Sequence, residues 1–231
     1  MSPPRNRLLS GLSTQDLALL QSQLELCQIE KDQVLEQPQK PIEHVYFPES
    51  GVASLVAVGS ANRRIEVGPF GREGMSGIAV VLGTDRSPHE TRVQVSGQAH
   101  RVTAGALREV MRQSPSLQVR LLRYVQAFSV QAAHSTLANG NLTIEQRLAR
   151  WLMMLHDRID GDELPLTHDF LALMLSVRRA GVTIAVHMLE GRGLIRATRG
   201  LIKILDRQGL KALAQSSYGI AEAEYTRLLE S

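Results

Sequence analysis

The sequence predicts an α+β protein with a β-rich N-terminal half, one long helix and a helical C-terminal half. Short apolar runs broken by Gly, Pro and Asn fill the stretch from Gln28 to Val95. From Ser116 to Ala138, apolar residues recur at helical spacing without Gly or Pro, and further helical patterns follow in the last ninety residues. The predicted domains are residues 1–114, 115–139 and 140–231, with Asn139-Gly140-Asn141 as the break after the long helix.

Composition excludes several classes of protein. With 231 residues, 43% hydrophobic and 21% charged, the chain has the composition of an ordinary folded protein. One cysteine, Cys27, excludes an internal disulfide, a CxxC redox pair and a cysteine-ligated iron–sulfur cluster. No apolar stretch approaches eighteen residues, and the polar segment Met1–Arg7 does not resemble a secretory signal. We therefore expect a cytoplasmic protein that does not interact with membranes.

The N-terminal half begins with a short helix and continues with strands. Ser13 is a suitable N-cap, and Asp16 three residues later completes a capping-box-like pair. Short strands at about ten-residue spacing favour an antiparallel barrel or jelly roll. The apolar runs assigned to strands are Ile42–Phe47, Val52–Val58, Ile65–Val67, Ile78–Leu82 and Val93–Val95.

A short amphipathic stretch with Leu107, Val110 and Met111 precedes the long helix, which Ser114-Pro115 begins. An apolar stripe over six turns is a candidate homodimer interface, since two-fold dimers dominate soluble oligomers. The alternative is a helix that packs wholly within its own chain. The predicted interface residues are Leu117, Leu121, Tyr124, Val125, Phe128 and Ala132.

The C-terminal half carries a helix-turn-helix pattern. Thr143 caps one predicted helix, and Thr167 caps another in which Leu171 and Leu175 are buried. A tight turn at Ser176-Val177 separates it from a second helix with an apolar face. The next residues, Gly193 to Leu205, fit a small β-wing. The tail from Leu210 to Leu229 is helical in pattern, and we expect it to pack against the winged domain.

Charge supports binding of double-stranded DNA by this segment. Eight basic and only two acidic residues lie between Leu171 and Lys211, which is typical of a nucleic-acid-binding module. The N-terminal residues of the second helix would meet the bases, and the wing would contact phosphates. The predicted base contacts are Arg178, Arg179, Ala180, Thr183 and His187, and the predicted phosphate contacts on the wing are Arg196, Arg199 and Lys203.

The chain resembles the Crp/Fnr family of bacterial transcription regulators over about residues 8–206. The resemblance is carried by Ile42–Gly51, by the Gly71–Met75 turn and by the Thr167–Ile195 block. It implies a cyclic-nucleotide-binding-like jelly roll, a dimerisation helix, a winged helix-turn-helix and, for an activator, RNA polymerase as a partner. It also implies that Arg179 reads guanine and that Thr167 and His168 contact phosphate, whereas Ala180 and Ile184 stand where base-reading side chains are usual.

The resemblance also bears on the effector. The family's cyclic-AMP site needs a ribose-binding acid where this chain has Ile78, and Arg92 follows Thr91 instead of preceding a Ser-Ala pair. Cyclic AMP in the usual mode is therefore disfavoured, and the effector stays open. An anion pocket is one interpretation of this region, and a structural turn with a surface arginine is the other. The residues of the candidate effector pocket are Glu73, Gly74, Gly77, Thr91 and Arg92.

The sequence predicts no enzyme, no metal site and no cofactor. It lacks the P-loop, HExxH and GxSxG motifs and paired carboxylates in a recognisable frame. The lone Cys27 cannot hold the oxygen-sensing cluster of the family, and single histidines such as His44 are weak candidates for haem ligands. Transcription regulation by a homodimer on a palindromic operator is the main hypothesis. The alternative is an effector-binding or interaction module whose helix-turn-helix no longer binds DNA specifically.

Overall fold

The computed structural model describes residues 3–60 and 64–230. In the N-terminal half, two antiparallel sheets, ordered β1-β7-β3 and β2-β6-β4-β5, share a hydrophobic core, which is the architecture that the strand spacing predicts. The strands are β1 Glu25–Ile29, β2 Val34–Glu36, β3 His44–Pro48, β4 Val52–Val58, β5 Arg64–Phe70, β6 Glu90–Val95 and β7 Gly97–Thr103.

Five helices belong to the N-terminal half and the linker, and five to the C-terminal half, among the described residues. The first five are α1 Arg7–Ser10, α2 Thr14–Gln21, α3 Ile78–Val81, α4 Ala104–Gln113 and α5 Pro115–Asn141. The others are α6 Ile144–His156, α7 His168–Leu175, α8 Arg179–Gly191, α9 Arg207–Ala214 and α10 Ile220–Leu229. The antiparallel sheet of the C-terminal half, ordered β8-β10-β9, comprises β8 Glu163–Leu164, β9 Ile195–Thr198 and β10 Leu201–Ile204.

The run Ile78–Leu82 is helical, so its assignment to a strand was wrong. Gly77 precedes it with φ of 74°, and a Cβ at this position would lie 2.4 Å from Val45. This left-handed glycine turns the chain into a single helical turn that buries Val80 and Val81. A run of five apolar residues has no periodicity that could have separated the two structures.

The cap of α2 is confirmed, but its capping pair is not. The Ser13 hydroxyl accepts the Asp16 backbone N–H at 3.0 Å. The Asp16 carboxylate instead accepts hydrogen bonds from Ser114 and from Ser116, the latter at 2.8 Å. These hydrogen bonds hold the pKa of Asp16 below its usual value, the one from Ser114 most strongly. Asp16 therefore ties α2 to the start of α5.

The long helix does not break at Asn139-Gly140-Asn141. It continues through Asn141, and the chain turns at Leu142 and Thr143, where a capping box with Gln146 begins α6. The side-chain amide of Asn141 donates to the Leu137 carbonyl at 3.2 Å. The Leu142 N–H still donates to the Ala138 carbonyl at 3.0 Å, so the break lies after residue 141 and not at residues 139–141.

The C-terminal tail divides between two surfaces, which corrects the prediction that all of it packs on the winged domain. Helix α9 packs against α6, as expected. Helix α10 instead packs along α5, and Leu229 joins the core of the N-terminal half. The Tyr225 hydroxyl donates to the Glu73 carbonyl at 2.7 Å. After a 3₁₀ turn at Gln215–Ser217, the chain passes through Tyr218 and Gly219 and returns to the linker helix α5.

Buried side chains join the two halves. The Trp151 indole N–H of α6 donates to Glu66 of β5 at 2.6 Å, and Ser54 of β4 donates to the other oxygen at 3.1 Å. Burial raises the pKa of Glu66 to about 7, against the opposing effect of these hydrogen bonds. Val52 of β4 also packs into the hydrophobic core of the C-terminal half. The junction thus contains both apolar contacts and a buried carboxyl group.

Candidate nucleic-acid interface

Helices α7 and α8 form a helix-turn-helix. Their axes meet at 106° across a turn of three residues, within the range of this motif. Ser176 caps α7 with φ of 50°, and its N–H donates within the last turn of the helix. The inner faces hold the pair together through six buried side chains. These are Leu171, Leu175, Val182, Ala185, Val186 and Leu189.

The outer face of α8 presents most of the predicted base-contacting residues. Arg179, Ala180 and His187 are exposed on it, and the exposed Arg178 is the N-cap residue. Ile184 and Met188 complete the same face with 59% and 42% of their surface exposed. Met188 was not identified from the sequence, although its position one turn after Ile184 could have indicated it.

Arg179 forms an ion pair that DNA can replace. Its Nε lies 3.0 Å from Oδ1 of Asp169, and both side chains are more than two-thirds exposed. Exposed pairs of this kind contribute at most about 1 kcal/mol. A guanine edge offers the same guanidinium two acceptors. Asp169 therefore orients Arg179 over the surface without withdrawing it from a ligand.

The side chains of Thr183 and His168 contact each other. Nδ1 of His168 lies 3.1 Å from the Thr183 hydroxyl, and that hydroxyl donates to the Arg179 carbonyl at 3.2 Å. Thr183 is only partly exposed. Thr167 accepts the Phe170 N–H at 3.2 Å as the N-cap of α7. All three side chains thus make hydrogen bonds within the motif, and their contacts with DNA stay predictions.

The wing is confirmed as a two-stranded ribbon with exposed cations. Arg196 of β9 stands opposite Lys203 of β10, and Arg199 lies in the connecting turn beside Gly200, whose φ is 76°. Nζ of Lys203 lies 3.5 Å from Glu163, which is also exposed. Arg207, in contrast, is partly buried and donates hydrogen bonds to Asp157 and Tyr218 within the C-terminal half. Three of the basic residues thus lie where phosphate contacts are expected.

The predicted effector residues do not form one pocket. Gly77 and Thr91 line a cavity of about 230 Å³ inside the jelly roll. Glu73 lines a second cavity, of about 270 Å³, between the Gly71 turn, α5 and α10, and its carboxylate accepts from Nε of Arg158 at 2.7 Å. A Cβ on Gly74 would lie 2.5 Å from the Tyr124 hydroxyl, so this glycine permits close packing of α5.

Arg92 is also excluded from the jelly-roll cavity by its partners. Its Nε donates to Glu90 at 2.7 Å, and its Nη1 donates to the Asp32 carbonyl at 2.9 Å. The acid that does reach the cavity is Glu36 of β2, which accepts the Gly77 N–H at 2.6 Å. Glu36 was missed because it precedes Gly77 by 41 residues and belongs to no recognisable motif.

Four of the six predicted dimer-interface residues are buried inside their own chain. Tyr124 donates its hydroxyl to the Met75 carbonyl at 3.1 Å, and this face of α5 packs on the jelly-roll core. The alternative of packing within the chain is therefore correct for this face, and Val125 and Ala132 are only partly exposed. The four buried residues are Leu117, Leu121, Tyr124 and Phe128.

A different face of α5 is open. Its residues repeat at intervals of three and four, as in a coiled-coil seam. Val119 and Leu122 expose 47% and 40% of their surface. No acidic residue occurs between Pro115 and Asn141. The exposed positions in heptad spacing are Val119, Leu122, Gln126, Ser129, Ala133, Thr136 and Gly140, and we call this set the α5 seam.

In the described part of the chain, no group of three or more His, Cys, Asp or Glu side chains is arranged to hold a metal ion. No single helix there is long and apolar enough to cross a bilayer, and α7 and α8 satisfy length and composition only when they are taken together across their bend.

Comparison with known proteins agrees with this geometry. Residues 146–213 match a family model described as the Crp-like helix-turn-helix domain. Comparison with curated protein sequences gives no match. The structure is similar to FixK2 from Bradyrhizobium japonicum, with a TM-score of 0.69 and 17% identity over 84% of this chain and 98% of that chain. It is similar to a transcriptional regulator of the CRP/FNR family from Thermus thermophilus, with a TM-score of 0.64 and 20% identity over 84% and 100%.

A third solved structure extends the comparison. The c-di-GMP responsive global regulator CLP from Xanthomonas campestris has a TM-score of 0.65 and 15% identity over 83% of this chain and 99% of that chain. At these identities the structures establish the fold, and the matched domain establishes the kind of helix-turn-helix. Both agree with the resemblance noted in the sequence. Residues 146–213 therefore form a Crp-like helix-turn-helix domain, and the chain has the fold of these solved structures, one of which is described as a regulator of the CRP/FNR family.

Proposed function

We propose that this regulator binds a two-fold symmetric DNA site as a homodimer, with α8 of each subunit in the major groove. The observation that carries the proposal is the outer face of α8, where Arg178 and Arg179 are exposed at its start and the cations of the wing lie behind them. Arginine pairs with guanine in the groove, and wing cations hold the backbone phosphates. Two such helices one helical turn apart, about 34 Å, match adjacent major grooves.

The α5 seam supports the dimer. A surface helix usually carries charge on its outer face. Among the described residues of α5, however, Arg123 is the only charged residue adjacent to this seam on the exposed face. Apolar Val119 and Leu122 fill one end of the seam, and small Ser129, Ala133 and Gly140 permit close approach at the other. A parallel pair of α5 helices would bury this stripe and place the two recognition helices on one side.

Regulation without cyclic AMP in the usual mode is part of the proposal. Ile78 and Glu36 lie in the jelly-roll cavity where the nucleotide's ribose and phosphate would need polar and cationic partners. If the protein activates transcription, its other partner is RNA polymerase. We propose that α5 transmits the effect of an effector to the dimer, because it contacts the jelly-roll core on one face and carries the seam on the other.

The test is selection of bound sequences from a random DNA pool by the purified protein without added effector. We expect an imperfect palindrome whose half-sites are one helical turn apart, and affinity that falls steeply with salt. Substituting Leu122→Glu in the seam should reduce dimer formation and recovery of the palindrome, while Leu26→Glu, the same change at a β1 leucine that is 55% exposed, is the control.

A second function is favoured by one observation. The exposed apolar side chains Ile184 and Met188 on α8 also suit a protein partner. In that case the selection would enrich no sequence even in the presence of cell extract, and weak DNA binding would show no preference between sites.

A further inference from the structure

The jelly-roll cavity of about 230 Å³ has an apolar body. It lies between the turn that ends in Gly77, the β2-β6-β4-β5 sheet and α5. Its size is between that of an apolar cavity that holds benzene, about 150 Å³, and that of pockets for drug-sized ligands, about 300 Å³ and above. The main apolar lining residues are Leu55, Phe70, Met75, Ile78, Leu82 and Phe128.

A carboxyl group of the chain itself occupies the polar end. Glu36 is 5% exposed and accepts the Gly77 N–H at 2.6 Å. The hydroxyls of Ser76 and Thr91 also favour its ionised form. Burial raises the pKa of Glu36, and the interactions with Gly77, Ser76 and Thr91 oppose that effect. A phosphate at this end would therefore meet a carboxyl oxygen.

Cations do not offset this carboxyl group within the cavity. Arg86 is the only arginine or lysine among the described lining residues, and it is half exposed and paired with Asp85 at 3.0 Å. His89 also lines the cavity, but its Nδ1 is buried and has no hydrogen-bond partner among the described residues.

We propose that this cavity binds an uncharged, mainly apolar molecule of about two fused rings, and that Glu36 excludes anionic ligands such as cyclic nucleotides. The inference rests on the proposed function, because it names the chemical class of the regulator's effector. Phe128 of α5 forms one wall, so an occupied cavity contacts the helix that carries the seam.

The experiment compares two probes of the same two-ring shape, 1-naphthol and 1-naphthoate, with the full chain at neutral pH. Ligand-observed NMR or calorimetry measures their binding without DNA, so a failure here is distinct from a failure to bind DNA. We expect 1-naphthol to bind at least about tenfold more tightly than 1-naphthoate, since the anion loses hydration without gaining a partner. Cyclic AMP and c-di-GMP serve as further anionic probes and should not bind at this cavity.

Two strand substitutions locate the binding. Leu55→Trp fills the cavity and should abolish 1-naphthol binding, whereas Leu26→Trp, at a β1 position with 55% of the leucine exposed, should leave it unchanged. Glu36→Gln keeps an acceptor for Gly77 but replaces the carboxyl group by an amide whose NH₂ can donate to an anion, and it should narrow the preference for 1-naphthol over 1-naphthoate. Equal or tighter binding of 1-naphthoate, or 1-naphthol binding that survives Leu55→Trp, would overturn the proposal. If Glu36→Gln does not fold, the two probes and the tryptophan pair still decide the question.

Discussion

Charged side chains are exposed on the outer face of α8 but buried at the junction between the two halves. On the surface, Arg179 pairs with Asp169 while both remain largely exposed. At the junction, Arg158 is 6% exposed and is bound to Glu73 and to the side-chain carbonyl of Gln131. An exposed pair exchanges its partner at little cost, whereas a buried pair cannot. The exposed cations of α8 can therefore exchange their partners, whereas the buried charges at the junction hold the two halves together.

The largest expected effect comes from breaking the junction. Replacing Arg158 by methionine leaves the Glu73 carboxylate without its buried partner, and we expect the free energy of unfolding to fall by about 3–5 kcal/mol. Denaturant titration measures this loss. Arg72→Met is the matched control, since Arg72 pairs at 2.8 Å with Asp160, whose side chain is 65% exposed, and it should cost at most about 1 kcal/mol. Similar losses in both variants would remove the distinction between surface and junction.

The pH dependence of the free energy of unfolding tests the same comparison at Glu66. Its pKa rises from an ordinary 4.5 to about 7 in the folded chain, mainly because of burial. The folded state thus holds a proton between these values that the unfolded state releases. The resulting stability is fully present below about pH 4.5 and is lost as pH rises through about 7, with a total on the order of 3 kcal/mol.

The measurement is the free energy of unfolding against pH for the native chain and for Glu66→Gln. The glutamine still accepts the Trp151 N–H, so we expect the variant to lose the slope between about pH 4.5 and 7. Ser54→Ala is a control that removes one hydrogen bond but leaves the carboxyl group. An unchanged slope in Glu66→Gln would show that other groups produce it.

On the outer face of α8, we expect substitutions to change DNA binding more than the free energy of unfolding. Arg179→Ala should weaken binding to the selected site by about 1–3 kcal/mol and relax the preference at one base pair. Its free energy of unfolding should change by no more than about 0.5 kcal/mol, because its ion pair is exposed. Binding is measured by titration against the selected site and against random DNA. An equal loss on both would make Arg179 a phosphate contact.

Lys203→Ala is the comparison for that experiment. We expect it to weaken binding to all sequences alike and to reduce the salt slope by about 1, as for a cation that contacts phosphate. A loss confined to the selected site would contradict the role assigned to the wing.

The same two regions explain how far the sequence predicts the structure. The helix-turn-helix and the wing are local, so the spacing of Leu171, Val182 and Leu189 and the turn at Gly200 were enough to place them. The face of α5 was assigned wrongly because two stripes of this helix, one through Leu121 and one through Leu122, have similar spacing. The sheet and the helices α3, α4 and α10 decide which one is covered, and most of these elements are distant from α5 in sequence.

The candidate site shows the same limit. Arg179 and the wing cations lie where the sequence placed them, since each side chain points outward from a short local element. Glu36 reaches Gly77 from a strand 41 residues earlier, and Met188 is an apolar residue in a position where the motif leads one to expect polar ones. Pairs of this kind depend on sheet topology, which residue spacing alone does not determine.

The smallest effect tests whether the apolar face of α8 reads DNA. Ile184 is 59% exposed at the centre of that face, and an aliphatic side chain in the major groove can pack on a thymine methyl group. We expect Ile184→Ala to weaken binding by about 1 kcal/mol, mostly at a single A·T pair. Replacing that thymine by uracil removes the methyl group, so it should weaken the native protein by a similar amount and leave the variant nearly unaffected. If the two losses add instead, Ile184 does not contact this methyl group, and the exposed apolar face is better explained as a surface for a protein partner.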